Sequence, residues 1–195
     1  MLKTTEMLLD EIRQNYSNPK AKLSRLVKQG IYTPVVRGLY ETDKTTPGYL
    51  LAGSIYGPSY ISFDYALARY GIIPEAVYTV TSATFEKKKR KIFKTPFGTF
   101  SYQDVPSSVF HLNLRVEREG DYFYRIAEPE KALCDKLFSL PTAKNARDFE
   151  ILLFENLRID EHELWKLNTG TIENLSRQYR SRNIRRLSLF LKQNR

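Results

Sequence analysis

Lys20, Lys22, Ser24, Arg25, Lys28 and Gln29 stand within one thirteen-residue stretch, NPKAKLSRLVKQG, whose apolar positions Leu23, Leu26 and Val27 share one helical face. The polar set falls largely on the other faces. Ammonium and guanidinium groups arrayed along a helix suit phosphate, and a guanidinium can also bind two acceptors of guanine at once. Arg25 is therefore the best-suited base reader, with Lys20 and Arg37 placed for backbone phosphate. An ordinary solvated helix face has the same composition.

Two further groups of cations stand apart from this one. Lys87-Lys88-Lys89-Arg90-Lys91 approaches a hairpin and suits either added phosphate contacts or a guard on a sheet edge. Arg177, Arg180, Arg182, Arg185, Arg186, Lys192 and Arg195 follow with no acidic residue after Glu173. Arg182, Arg185 and Arg186 lie opposite Ile184, Leu187 and Leu191, a helix that could track nucleic acid or meet an acidic protein.

Groups suited to catalysis are sparse. His111, His162 and Cys134 lack metal-ligand spacing, and Cys134 sits among Ala132, Leu133 and Leu137 as a buried helix residue would. Glu128, Glu130 and Asp135 fit a metal-dependent nuclease, but the two glutamates equally suit the start of a helix. No phosphate-binding loop, nucleophile elbow or dinucleotide glycine pattern occurs. The expectation is a protein without enzymatic activity, cofactor or metal.

Composition bounds the remaining choices. The chain has 195 residues, 42% of them hydrophobic, and a formal net charge of +9, which favours a polyanionic partner and nucleic acid first. A single cysteine allows no intramolecular disulfide and fits a reducing cytoplasm. No apolar run approaches the roughly 20 residues of a membrane span, and the N-terminus reads as an amphipathic helix without a signal-peptide cleavage site.

The elements that must position these residues form an α+β chain. Thr5, Leu8, Leu9, Ile12 and Tyr16 predict a first helix packed under Leu23, Leu26 and Val27. Asn18 caps the second helix, Pro19 opens it and Gly30 ends it. Strand 31–35, a turn at Arg37-Gly38 and a return strand at Leu39-Tyr40 follow. Residues 1–43 thus read as a winged helix-turn-helix domain with only two helices before its wing. The polar link 41–47 leads into a mixed α/β domain, 44–140, with a mostly antiparallel sheet. Its expected elements are a helix from Pro47 to Ile55, a strand at 59–63, a helix to Gly71 capped by Ser62 or Asp64, and a buried strand at 76–81. Hairpins at 91–103 and 109–126 and a helix at 129–140 complete it, and 141–195 is a helical extension with three apolar stripes.

Three segments, in this order, resemble the AbiEi-type antitoxin and transcriptional regulator family of type IV abortive-infection systems. They are Leu26–Gly30 with Arg37–Tyr40; Ser62 through Ala66-Leu67 to Gly71-Ile72; and Tyr124–Ala127 followed by Pro129-Glu130-Lys131-Ala132-Leu133-Cys134-Asp135. The resemblance implies a winged-helix domain that binds double-stranded DNA at repeats in its own promoter and represses it. It further implies a second domain linked to antitoxin activity against a nucleotidyltransferase-like toxin, without requiring a stable complex. A stand-alone regulator, or an interaction module using the basic C-terminal helix, are the alternatives.

Overall fold

The computed structural model describes residues 1–193, so Arg195 of the basic tail lies outside the described residues. The chain opens with a strand, β1 (Leu2–Thr4), where an amphipathic helix from the N-terminus is expected. Three residues are too few for an alternating pattern to register. Thr4 then caps α1 (Thr5–Arg13) by accepting the Met7 amide. Asn18 caps α2 (Pro19–Lys28) through the Ala21 amide at 3.1 Å, and Gly30 ends that segment at φ +72°, both as expected. Tyr16 falls beyond α1 and is exposed, a departure from its expected place on the inner face.

The expected hairpin is β2 (Thr33–Val36) and β3 (Leu39–Glu41), turning at Arg37-Gly38 with Gly38 at φ +86°. With β1 it makes an antiparallel sheet in the order β1-β3-β2. Leu8, Leu9, Ile12 and Leu23 form a small core with Leu26, Val27, Tyr32 and Tyr40 around it. Val35 belongs instead to the large core of the body, against which Leu2, Val36 and Leu39 also pack. The small sheet is thus held on one side by its helices and on the other by the body.

In the body, the helix expected after Pro47 is a 3-10 turn (Gly48–Leu51) running into α3 (Ala52–Ile55). The strand expected at 59–63 shrinks to β4 (Tyr60–Ile61), because Phe63 at φ +56° turns the chain into α4 (Phe63–Arg69). The strand expected at 76–81 is displaced to β5 (Val80–Thr84). Tyr78 is 90% exposed, so the aromatic that made 76–81 look buried points to solvent, and Val80 and Ala83 do the packing. β6 (Lys91–Thr95) and β7 (Gly98–Asp104) are as expected. In the next hairpin, β8 (Leu114–Glu119) starts later than expected, after a 3-10 turn at Ser107–Val109, and meets β9 (Tyr122–Ala127) across Gly120-Asp121.

These strands form one sheet, β6-β7-β5-β4-β9-β8. β4/β5, β6/β7 and β8/β9 are antiparallel, while β5/β7 and β4/β9 are parallel, so the sheet is mixed where a mostly antiparallel one was expected. Both parallel pairings join strands that are not consecutive, which hairpin signals cannot reveal. α5 (Pro129–Phe138) packs on α4 and β9. The last part is helical as expected: α6 (Ala146–Glu150) continuing as a π-helix (Ile151–Asn156), α7 (Glu161–Lys166), α8 (Thr169–Tyr179) and α9 (Arg182–Gln193). Phe149, Leu153, Ile172, Leu175, Tyr179, Ile184, Leu187 and Leu191 from all three stripes share one core with the sheet. No helix among the described residues is long and apolar enough to cross a membrane.

Candidate nucleic-acid interface

Burial of Leu23 decides which side of α2 faces outward. Lys20, Ser24 and Lys28, spaced by four, lie along one row and are exposed. With Thr5 and Tyr40 they line an open groove of about 460 Å³ between α2 and β3. Arg25 and Gln29 are exposed too. On this flank Arg25, Lys22, Asn18 and Tyr16 surround a second concavity of about 240 Å³. Lys22 is half-buried, its ammonium 4.3 Å from the centre of the Tyr16 ring, so part of its charge is spent inside the fold.

Arg37 is exposed at the hairpin tip. The Thr5 amide donates to the Gly38 carbonyl at 3.0 Å, bracing that tip against the start of α1. Thr5 also lines the groove that Lys20, Ser24 and Lys28 border, so the hairpin tip is held against one wall of that groove. Lys44 joins from outside the predicted set: a Cβ at Gly30 would meet its ammonium at 2.6 Å. A cation there complements the carbonyl end of α2. Nothing in the polar link 41–47 marked Lys44, because its role depends on how the link folds back.

The secondary patches divide between surface and scaffold. Lys87 is half-buried over the Tyr56 ring and donates to the Gly57 carbonyl at 3.1 Å. Lys88, Lys89, Arg90 and Lys91 are exposed, with the Lys88 amide held by Asp104 and Arg90 Nε 3.5 Å from Ser101 Oγ. Lys91 opens β6, an edge strand that lies against β2 of the small sheet. In the tail, Arg182 and Arg185 are exposed, whereas Arg186 donates to the carbonyls of Ala143 and Lys144. Arg177 and Lys192 both pair with Glu173. Lys192 therefore ties α9 to α8 and Arg186 ties it to the 143–144 segment, while Arg180, Arg182 and Arg185 stay exposed.

The segments of the second and third resemblances converge on a closed cluster. Lys131 Nζ lies 2.6 Å from both Asp135 Oδ1 and the Tyr60 hydroxyl, and it also donates to Tyr179. Asp135 accepts from Ser62 at 2.6 Å, Tyr60 at 3.0 Å and Tyr179. Lys131 and Asp135 are wholly buried. Burial pulls the Lys131 ammonium below its usual range and drives the Tyr60 and Tyr179 hydroxyls well above theirs. Ser62, expected to cap α4, makes no cap bond because its hydroxyl is given to Asp135.

The residues that fitted a nuclease do not converge. Asp135 is in this cluster, Glu128 holds Asn113 and Arg115, and Glu130 accepts the Asn168 amide at 2.7 Å. Burial pushes the Cys134 thiol up, away from nucleophilic use. Among the described residues no group of three or more His, Cys, Asp or Glu is arranged to hold a metal. No protein-family model matches this chain, and no curated protein sequence matches it.

Proposed function

We propose that the protein is a winged-helix DNA-binding regulator that represses its own promoter, with α2 in the major groove and the Arg37 turn on backbone phosphate. The observation that carries this reading is the exposed row of Lys20, Ser24 and Lys28 beside Arg25, on a groove whose wall at Thr5 braces the hairpin that exposes Arg37. A strand, two capped helices and a hairpin closing one small sheet is an order compatible with a winged module whose leading helix is missing. The body covers the far face of that sheet and leaves α2 open.

The resemblance of the Ser62 and Lys131–Asp135 segments extends the proposal to antitoxin activity against a nucleotidyltransferase-like toxin. Those side chains make the internal cluster, so antitoxin activity would depend on the body they hold together and not on direct contact through them.

The test is binding to labelled DNA from upstream of the gene against scrambled competitor. Specific binding should survive moderate salt, and Arg25→Ala should relax preference at one base pair by about 1–3 kcal/mol. Lys20→Ala or Arg37→Ala should weaken all sequences alike and lower the salt slope by about one. Complete displacement by scrambled DNA sinks the regulator reading. Rescue of growth on co-expression with a neighbouring nucleotidyltransferase gene tests the antitoxin part separately.

A further inference from the structure

The two edges of the large sheet are built differently. At one edge, β6 carries Lys91 and Lys94 beyond exposed Lys88, Lys89 and Arg90. That edge lies against β2, and a second copy brought to it also meets charge of the same sign, a usual guard of an edge strand. At the other edge β8 reads Leu114-Arg115-Val116-Glu117-Arg118-Glu119, with signs that alternate. Val116 on β8 and Phe123 on neighbouring β9 are each 66% exposed.

The ladder shows which backbone groups of β8 are unpaired. The Glu128 amide donates to the Asn113 carbonyl at 2.9 Å, in register with the β8/β9 pairs. Bonded and non-bonded pairs alternate along an antiparallel ladder. Arg115, Glu117 and Glu119 therefore turn their amides and carbonyls toward β9, and Leu114, Val116 and Arg118 turn theirs to the open edge.

We propose that β8 is a dimerisation strand: the β8 of a second copy pairs with it antiparallel across a twofold axis, joining the two sheets. Charge selects the register. Outward residues must face outward residues, so the axis can pass through 115, 116 or 117. At Arg115 or Glu117 it sets like charges directly opposite each other, which is destabilising. At Val116 it sets valine on valine, and Arg115 of each copy faces Glu117 of the other. These last are non-bonded pairs, where side chains approach most closely. Arg115 is 57% exposed and reaches Glu128 through Nε at 3.4 Å, and Glu117 is one-third exposed beside Arg69. Both can therefore take a partner without leaving their own fold. The proposal stands independently of DNA binding.

Sedimentation of the full chain over a wide concentration series tests it. The unaltered protein should move from monomer to dimer. Val116→Pro removes an outward N–H that β9 does not use, so the fold should persist while dimerisation weakens about tenfold or more. Val116→Lys, which sets two ammonium groups on the axis, gives the same result by another route. Oxidised Val116→Cys should crosslink to its own copy, whereas Asp121→Cys at the hairpin turn should not. A chain that stays monomeric throughout overturns the proposal. So does a dimer untouched by both substitutions, or crosslinking that is equal at the two cysteine positions.

Discussion

At the scale of single residues, Lys131 and Asp135 illustrate how burial sets the value of a charge. Removing one partner of a buried ion pair leaves the other uncompensated, at a cost of about 3–5 kcal/mol. The two directions are unequal here. Asp135→Ala strands an ammonium with only hydroxyl neighbours, whereas Lys131→Met leaves a carboxylate still accepting from Ser62, Tyr60 and Tyr179. Urea unfolding should therefore show Asp135→Ala in the 3–5 kcal/mol range and Lys131→Met distinctly milder. Equal losses would mean that the hydroxyls do little for the carboxylate. Tyr179→Phe withdraws one hydroxyl from both charges and should cost about 1–3 kcal/mol in the same assay.

At the scale of elements, the junction of the small sheet with the body turns on Glu41 at the end of β3. It is fully buried, accepts from the Met1 amino group and from the Tyr122 hydroxyl at 2.7 Å, and also takes the Thr42 and Asp43 amides. Burial works against its ionisation, but these donors outweigh that effect and hold its carboxyl below the usual range, while Tyr122 rises to about 12. A carboxyl depressed on folding contributes stability above its unfolded value of about 4.3, and loses it as pH falls through the folded value. Acidification below about pH 4 should therefore loosen β1 and β3 from the β8/β9 hairpin, seen as faster amide exchange in those strands. Glu41→Gln should show that loosening already at neutral pH and respond less to acid. Protection in the mutant equal to that of the parent would remove Glu41 from this role.

At the scale of the whole molecule, the helices after Pro141 are part of the body and not an appendage. Tyr179 reaches the Lys131–Asp135 cluster, Asn183 binds the Leu137 and Pro141 carbonyls, and Ile172, Leu175, Ile184 and Leu187 lie in the core of the sheet. A chain ended at residue 140 should lose the cooperative thermal transition of the full protein, since it exposes that core face and leaves Lys131 and Asp135 short of a partner. A sharp transition in the truncated chain would show that the body folds without its last helices.

The amino-acid sequence by itself determined what is local. Asn18, Pro19 and Gly30 bounded α2, Arg37-Gly38 and Pro96-Phe97-Gly98 marked turns, and the apolar stripes located the C-terminal helices, because caps, positive φ and side-chain periodicity act within a few residues. The outward row on α2 followed from the same periodicity. Only the tertiary structure decided what depends on distant partners. It paired β1 with β3 and made the sheet mixed, and it drew Ser62 from a helix cap to Asp135, 73 residues away. It also set Lys44 over Gly30, turned Arg186 inward and left β8 with an open edge. Burial and ion pairing arise when separate segments meet, and no single segment records which partner the fold will bring to it.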